Sequence, residues 1–315
     1  MKITIVGAGV VGEATGTVLA QHGFDIVFTD VNAGVVSRLR EKGHQAFEVG
    51  ELDKVDTDIY MLSIPTYPLD LCRDQAEAEK LEKSMSPVEW CDVGINFTKS
   101  ASVTIGKWLA SANRYQLVAI RSAVLPGTTE DMIIPILQEQ SGKRAGVDFG
   151  VCVNPEYLRE KMAVQDIANP WVNVIGELDQ RAGDMLQQVY RWSTAPLYRV
   201  SLKEAEMQKF IHNLCNATKI SFFNEMRMLC KQAGVDDGKV IPIVAKSAEA
   251  LWNPEYGTRD YGPFGGKCLP KDTVAFVAWA QRSGWEARMV KAAIEVNDLY
   301  AAHLQEPLVS SAIQT

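Results

Sequence analysis

The chain reads as an α/β protein: a doubly wound parallel sheet at the N-terminus, then an all-helical domain with a long central helix. Three observations predict this. Short apolar runs alternate with helical patterns up to residue 200, as a parallel sheet with crossover helices requires. The first run, KITIV, leads straight into Gly7-Ala8-Gly9-Val10-Val11-Gly12. Beyond residue 200 strand patterns cease, and Ser201-Leu202-Lys203-Glu204 has the form of a capping box, opening a helix that Gly234 stops. A length of 315 residues fits two domains, 1–200 and 201–315.

Residues 2–6 read as a buried strand, 10–22 as a helix stopped by Gly23, and 25–30 as a second strand. Gly7 makes the tight turn, Gly9 lets backbone approach a pyrophosphate, and Gly12 lets helix and strand pack closely. The pyrophosphate would rest on the helix N-terminus at Val10 and Val11. Asp30, ending the second strand, is placed to accept hydrogen bonds from the adenosine ribose, favouring NAD over NADP, whose 2′-phosphate it would repel. A lone G-x-G-x-x-G is weak. With strand, helix and acid in these places, it marks a Rossmann-type NAD site.

Residues 58–64 form the next expected strand, running into Pro65-Thr66, and 71–84 a charged surface helix. Strands are expected at 93–96, 117–120, 149–153 and 171–175, with helices at 102–113, 128–141 and 180–192. Ligands in such sheets bind beyond the carboxyl ends of the strands, which singles out the loops at Gly7, Pro65, Ser122 and Asn154. Glu156 and Glu160 are four apart and would share a face if their segment were helical. After the helix 201–233, further helices are expected at 236–247, from Cys268 to 283, and at 286–304.

Net charge is −7, without a basic run, which argues against nucleic acid as a partner. The apolar start is far too short for a signal peptide or membrane span. None of the six cysteines forms a C-x-x-C pair and there are four histidines, so no metal site is expected. Scattered cysteines in a chain this long fit a reducing cytoplasm.

Gly262-Pro263-Phe264-Gly265-Gly266-Lys267-Cys268-Leu269-Pro270-Lys271-Asp272 carries the covalent chemistry. Pro270 suits the first turn of a helix, so Cys268 stands just before a helix N-terminus, where a thiolate is favoured. Lys267 and Lys271 push the same way, and Asp272 can face the thiol as a base. A lone cysteine is usually an inert small hydrophobe. These neighbours make a reactive one the better account.

Gly-Gly-x-Cys-Leu-Pro-Lys-Asp resembles the active-site motif of the UDP-glucose/GDP-mannose dehydrogenase family, whose members oxidise a sugar CH2OH to a carboxylate in two NAD-dependent steps. The resemblance implies that Pro65 and Thr66 lie over the cofactor and that Arg121-Ser122-Ala123 is the family's Lys-Ser-Thr, with Ala123 in place of the threonine that helps hold the catalytic water. Asn154-Pro155-Glu156-Tyr157-Leu158-Arg159-Glu160 is similar to the stretch that lies along the substrate, whose second glutamate serves proton transfer and hydrolysis. Lys209 and Asn213 match a catalytic Lys-x-x-x-Asn pair, the lysine for oxyanions and the asparagine for water. The family's basic substrate motif falls on Ala250-Leu251-Trp252, with Arg259 a possible substitute, and Gly265 and Lys267 flank the substrate. The long helix 201–233 implies a homodimer. Family members continue into a further nucleotide-sugar domain, which is expected to be lacking here.

The resulting expectation is a dehydrogenase that oxidises a primary alcohol through a Cys268 thiohemiacetal and thioester. Its substrate would be a sugar-like or nucleoside-like alcohol smaller than a nucleotide sugar, stacked on Trp252. A single-step dehydrogenase of the 3-hydroxyacid type and a catalytically weakened NAD-binding relative are the competing readings.

Overall fold

The computed structural model describes residues 1–52, 55–66, 87–254, 256–257, 262–265 and 269–304. The expected helix 71–84 lies outside these residues. The chain divides into two compact units, Met1–His212 and Asn213–Thr315.

The first unit is organised by strands whose alternate side chains enter two cores. β1 (Lys2–Val6) is followed by α1 (Val10–Gln21), β2 (Asp25–Asp30), α2 (Ala33–Glu41), β3 (Gln45–Glu48) and β4 (Ile59–Leu62). Then come α3 (Pro87–Ala110), β5 (Leu117–Ile120), α4 (Ile134–Ser141), β6 (Gly150–Val153), α5 (Ala163–Ala168), β7 (Asn173–Glu177), α6 (Gln180–Val189) and β8 (Leu197–Ser201). Ile3, Ile5, Ile59, Met61, Leu117 and Ala119 pack on one face of the sheet. Val6, Tyr60, Leu62, Val118 and Ile120 pack on the other. A strand buried on both faces reads as an unbroken apolar run, which is why these strands are plain in the sequence.

The strands order as β3-β2-β1-β4-β5-β6-β7-β8. Chain order reverses between β1 and β4, and it is there that a sheet of this kind opens a ligand crevice. The sheet is not wholly parallel: β7 runs antiparallel to β6, with Cys152 opposite Glu177, and β8 is parallel to β7.

Three expectations need correction. Residues 93–96 are not a strand, because α3 runs through them. Its inward face carries Gly94, Thr98, Ser102, Ile105 and Leu109, a helical spacing filled at one end by small and hydroxyl residues. The Thr98 and Ser102 hydroxyls donate to carbonyls four residues back, at 3.1 and 2.8 Å, which lets polar residues occupy a buried face. Glu156 and Glu160 do not share a helical face, because 154–159 is irregular and a short helical turn begins only at Glu160. Pro155 biases Asn154, the residue before it, towards extended backbone. Finally, α2, β3 and β8 lack a run long enough to have been expected.

α7 (Leu202–Gln232) starts on the reciprocal capping box: the Ser201 amide donates to Glu204 Oε2 at 2.7 Å and the Glu204 amide to Ser201 Oγ at 3.3 Å. The second unit adds α8 (Asp237–Ser247), α9 (Leu269–Arg282) and α10 (Arg288–His303). Its buried apolar cluster centres on Leu229, Ala280 and Ala287. The buried Glu225 carboxylate accepts the Met289 amide at 3.0 Å, tying α10 to α7 at the helix start, where a carboxylate is favoured. Among the described residues no helix is long and apolar enough to cross a membrane, and no cluster of metal-ligating side chains occurs.

Candidate functional site

In the first unit a cleft of about 440 Å³ opens beyond β1, β2 and β4, lined by Gly7, Gly9, Asp30, Asn32, Ile64 and Pro65 among others. Gly7 has φ +90° and its amide donates to Thr29 O at 2.9 Å, turning the chain from β1 into α1. A Cβ on Gly7 would stand 2.6 Å from the Ser63 carbonyl, and one on Gly12 would stand 2.0 Å from that of Gly7. A Cβ on Gly9 would meet nothing within 4 Å. The turn is thus crowded on the protein side and open at Gly9, where a ligand needs to come close. Val10 and Val11 open α1, so their amides are among those a helix start leaves without an intrahelical acceptor.

Asp30 is fixed by the turn it serves. Its Oδ2 accepts the Ala8 amide at 2.7 Å and its Oδ1 the Asn32 amide at 2.9 Å. Each carboxylate oxygen keeps a further lone pair for a ribose hydroxyl. These residues fit a dinucleotide. Ser122 acts one step back: its hydroxyl accepts the Ile64 amide at 2.9 Å and lies 2.8 Å from the Ile64 carbonyl, locking the loop that leads to Pro65 and Thr66. Gly94 of α3 lies against that loop so closely that a Cβ would stand 1.9 Å from the Thr66 carbonyl oxygen.

A second cluster of the same unit gathers Glu156, Tyr157 and Lys209. Lys209, only 7% exposed, donates to the Glu156 carbonyl oxygen and lies 3.3 Å from its carboxylate. Its Nζ is 5.1 Å from the centre of the Tyr157 ring. The Tyr157 hydroxyl donates to Gln208, and burial pushes its pKa up to about 12. Glu156 Oε2 accepts the Leu158 amide at 2.7 Å, closing the loop on itself. The Arg159 guanidinium is held by Asp166 through bonds of 3.0 and 2.8 Å and lies over Trp171. That pair holds the Asp166 carboxyl below its usual range.

Two positioning residues were not foreseen. Glu206, buried one turn before Lys209, accepts the amides of Gly127 at 2.5 Å and Thr129 at 2.9 Å. It therefore anchors the segment that follows Ser122 and Ala123. Nothing in its local pattern distinguishes it from a solvated glutamate. The other, Asn297, belongs to the second unit. Its Oδ1 accepts the Phe264 amide at 2.6 Å and its Nδ2 donates to the Phe264 carbonyl at 3.2 Å. This clamp fixes the start of the glycine-rich loop, in which Gly265 is exposed.

Asn213 is exposed on α7, and Trp252 is 60% exposed rather than part of a core. Ala250 and Leu251 line an apolar groove with Phe222, Phe223 and Phe264. Arg259, Lys267 and Cys268 lie outside the described residues, as do the side chains of Glu160 and Asp272. Cys152 is wholly buried, and desolvation raises its pKa far above the usual thiol range, so it is no nucleophile.

Comparison with known proteins matches two family descriptions: the NAD binding domain of the UDP-glucose/GDP-mannose dehydrogenase family over residues 1–194, and that family's central domain over residues 203–299. A GDP-mannose 6-dehydrogenase from Pseudomonas putida is 37% identical over 281 residues, 87% of this chain and 63% of that protein. A UDP-glucose 6-dehydrogenase from Haloferax volcanii is 31% identical over 306 residues, 95% of this chain and 70% of that protein. The crystal structure of a ternary complex of GDP-mannose dehydrogenase from Pseudomonas aeruginosa superposes with a TM-score of 0.82 at 28% identity, covering 96% of this chain and 69% of that one. The chain thus spans 63 to 70% of the length of these relatives, and it belongs to the UDP-glucose/GDP-mannose dehydrogenase family.

Proposed function

We propose that this chain forms the dinucleotide-binding and catalytic part of an NAD-dependent dehydrogenase that oxidises the primary alcohol of a sugar nucleotide to a carboxylate. The observation that carries the reading is the central-domain match over 203–299, which spans Lys209, Asn213, Cys268 and Asp272. NAD, when bound, supplies the hydride acceptor, used twice per substrate. Water held by Lys209, Asn213 and Asp272 takes the alcohol proton as the first hydride leaves. The Cys268 thiolate then adds to the aldehyde carbon, and Lys209 stabilises the oxyanion of the thiohemiacetal. Loss of the second hydride gives a thioester. Water activated near Glu160 and Asp272 cleaves its C–S bond, releasing the carboxylate and returning the thiol. Each alcohol consumes one water and two NAD and releases two NADH and three protons.

Lys209 and Glu156, paired and nearly buried, support this division of labour: a desolvated ammonium acts on oxyanions with little screening. The experiment is a turnover count. Two NADH per substrate are expected, with a substrate adduct on the Cys268 peptide by mass spectrometry. One NADH per substrate and aldehyde as the product would favour the single-step reading. Cys268→Ser should bind NAD and stall before the acid, and full acid production by Cys268→Ala would sink the covalent step.

The exposed Trp252 favours a second reading, a nucleoside-sized substrate stacked on that ring. Calorimetric titration of the NAD-bound protein with GDP-mannose, UDP-glucose and free nucleosides separates the two. We place the enzyme in the cytoplasm, as a homodimer joined through α7.

A further inference from the structure

Behind the loop 154–158, within the first unit, a small cavity of about 30 Å³ is lined by Arg121, Asn154, Glu156, Asp166, Tyr190 and Trp192 among others. Arg121 is 4% exposed. Its Nη1 donates to Asn154 Oδ1 at 2.5 Å and to the Tyr190 hydroxyl at 2.8 Å, both neutral acceptors. Those acceptors are committed elsewhere too: Tyr190 donates to Asn154 Oδ1, and Asn154 Nδ2 donates to the Val174 carbonyl at 2.9 Å. Arg121 Nε has no protein partner. Among the described residues no carboxylate pairs with this guanidinium.

The two carboxylates that line the cavity are already used. Glu156 is paired with Lys209 and Asp166 with Arg159. Counting these five groups, three cations face two anions, and the unmatched charge is the buried one. A guanidinium cannot discharge itself by losing a proton. An uncompensated buried charge costs several kcal/mol, a penalty that a neutral water, filling the donors alone, does not lift.

We infer that Arg121 is the core of a binding site for one small monovalent inorganic anion of the size of chloride. The Arg121 guanidinium, which lines the cavity, would donate to it. Occupancy would hold Asn154 and the following loop against β6, and with them the Glu156 carbonyl that receives Lys209. The inference does not depend on the reaction proposed above, since its readouts are binding and stability.

The test uses the full chain without substrate. Thermal unfolding is followed in sodium chloride and in sodium gluconate at matched ionic strength, gluconate being too large for the cavity. A rise in Tm of roughly 2–4 °C in saturating chloride is expected, following a binding isotherm, and should disappear in Arg121→Met. Crystals grown in bromide should show an anomalous peak beside the Arg121 guanidinium, an observation independent of whether the variant folds. Equal Tm in both salts with no bromide peak would overturn the site. So would a chloride effect that survives in Arg121→Met.

Discussion

At Asp30 a single carboxylate does two jobs, since the backbone bonds that hold it also shape the glycine turn. NADP would bring a phosphate dianion to the same spot, so NAD should be strongly preferred. Replacing Asp30 by Ala removes charge-assisted bonds worth about 1.5–3 kcal/mol each, and kcat/KM for NAD should fall about 10- to 100-fold while the value for NADP changes little. Equal kcat/KM for the two cofactors in the wild type would overturn the ribose assignment. Lys209 is a contrasting case, a nearly buried cation paired with Glu156 and proposed above to stabilise the oxyanion. Lys209→Met keeps the stem and removes the charge. A loss of about 100- to 1000-fold in kcat is expected, the usual cost of deleting an oxyanion donor, with NAD affinity unchanged by fluorescence titration. A variant that lost NAD binding as well would assign Lys209 to the fold instead.

Helix α3 shows how an element serves the site without contributing chemistry to it. Gly94 lets the helix backbone press on the Thr66 carbonyl and so sets the height of the Pro65 loop over the cleft. Helix propensity alone would make Gly94→Ala stabilising by about 1 kcal/mol. A Cβ 1.9 Å from a backbone oxygen cannot be relieved by a side-chain rotation, and overpacking of this kind costs about 1–3 kcal/mol. The clash should win: Gly94→Ala is expected to lower Tm and to raise KM for NAD, as differential scanning calorimetry and steady-state kinetics would show. The same helix marks the limit of what sequence patterns carry. β1, β2, β5 and the glycine turn were legible because unbroken apolar runs and fixed spacings dictate them. Residues 93–96 misled because a buried helix face built from Gly94, Thr98 and Ser102 carries no hydrophobic period, leaving Val93 and Ile95 to mimic a strand. Likewise β8, half-exposed along Leu197–Ser201, has no apolar run to betray it. Glu206 and Asn297 escaped for a different reason: their partners are backbone amides far along the chain, at Gly127 and Phe264.

At the scale of the whole molecule, the two units differ in how far each satisfies its own apolar surface. The first buries two extensive cores. In the second, the buried cluster is small, while Leu214, Ile220, Phe222, Met228, Ile243, Val296 and Leu299 stand 37 to 70% exposed. Scattered exposed apolar residues are ordinary, but this many on so few helices suit the subunit interface proposed above. A two-fold interface puts the same patch on both partners, so one substitution there acts twice and should be disproportionately damaging. Ile220 is 60% exposed and should tolerate Glu well in a monomer, at a cost within about 0.5 kcal/mol for a surface change. If α7 joins two copies, Ile220→Glu instead buries two uncompensated carboxylates. Sedimentation velocity should then report a dimer for the wild type and a monomer for the variant. The wild-type Tm should rise with protein concentration and that of Ile220→Glu should not. A wild type that sediments as a monomer across the micromolar range would remove α7 as the dimer contact.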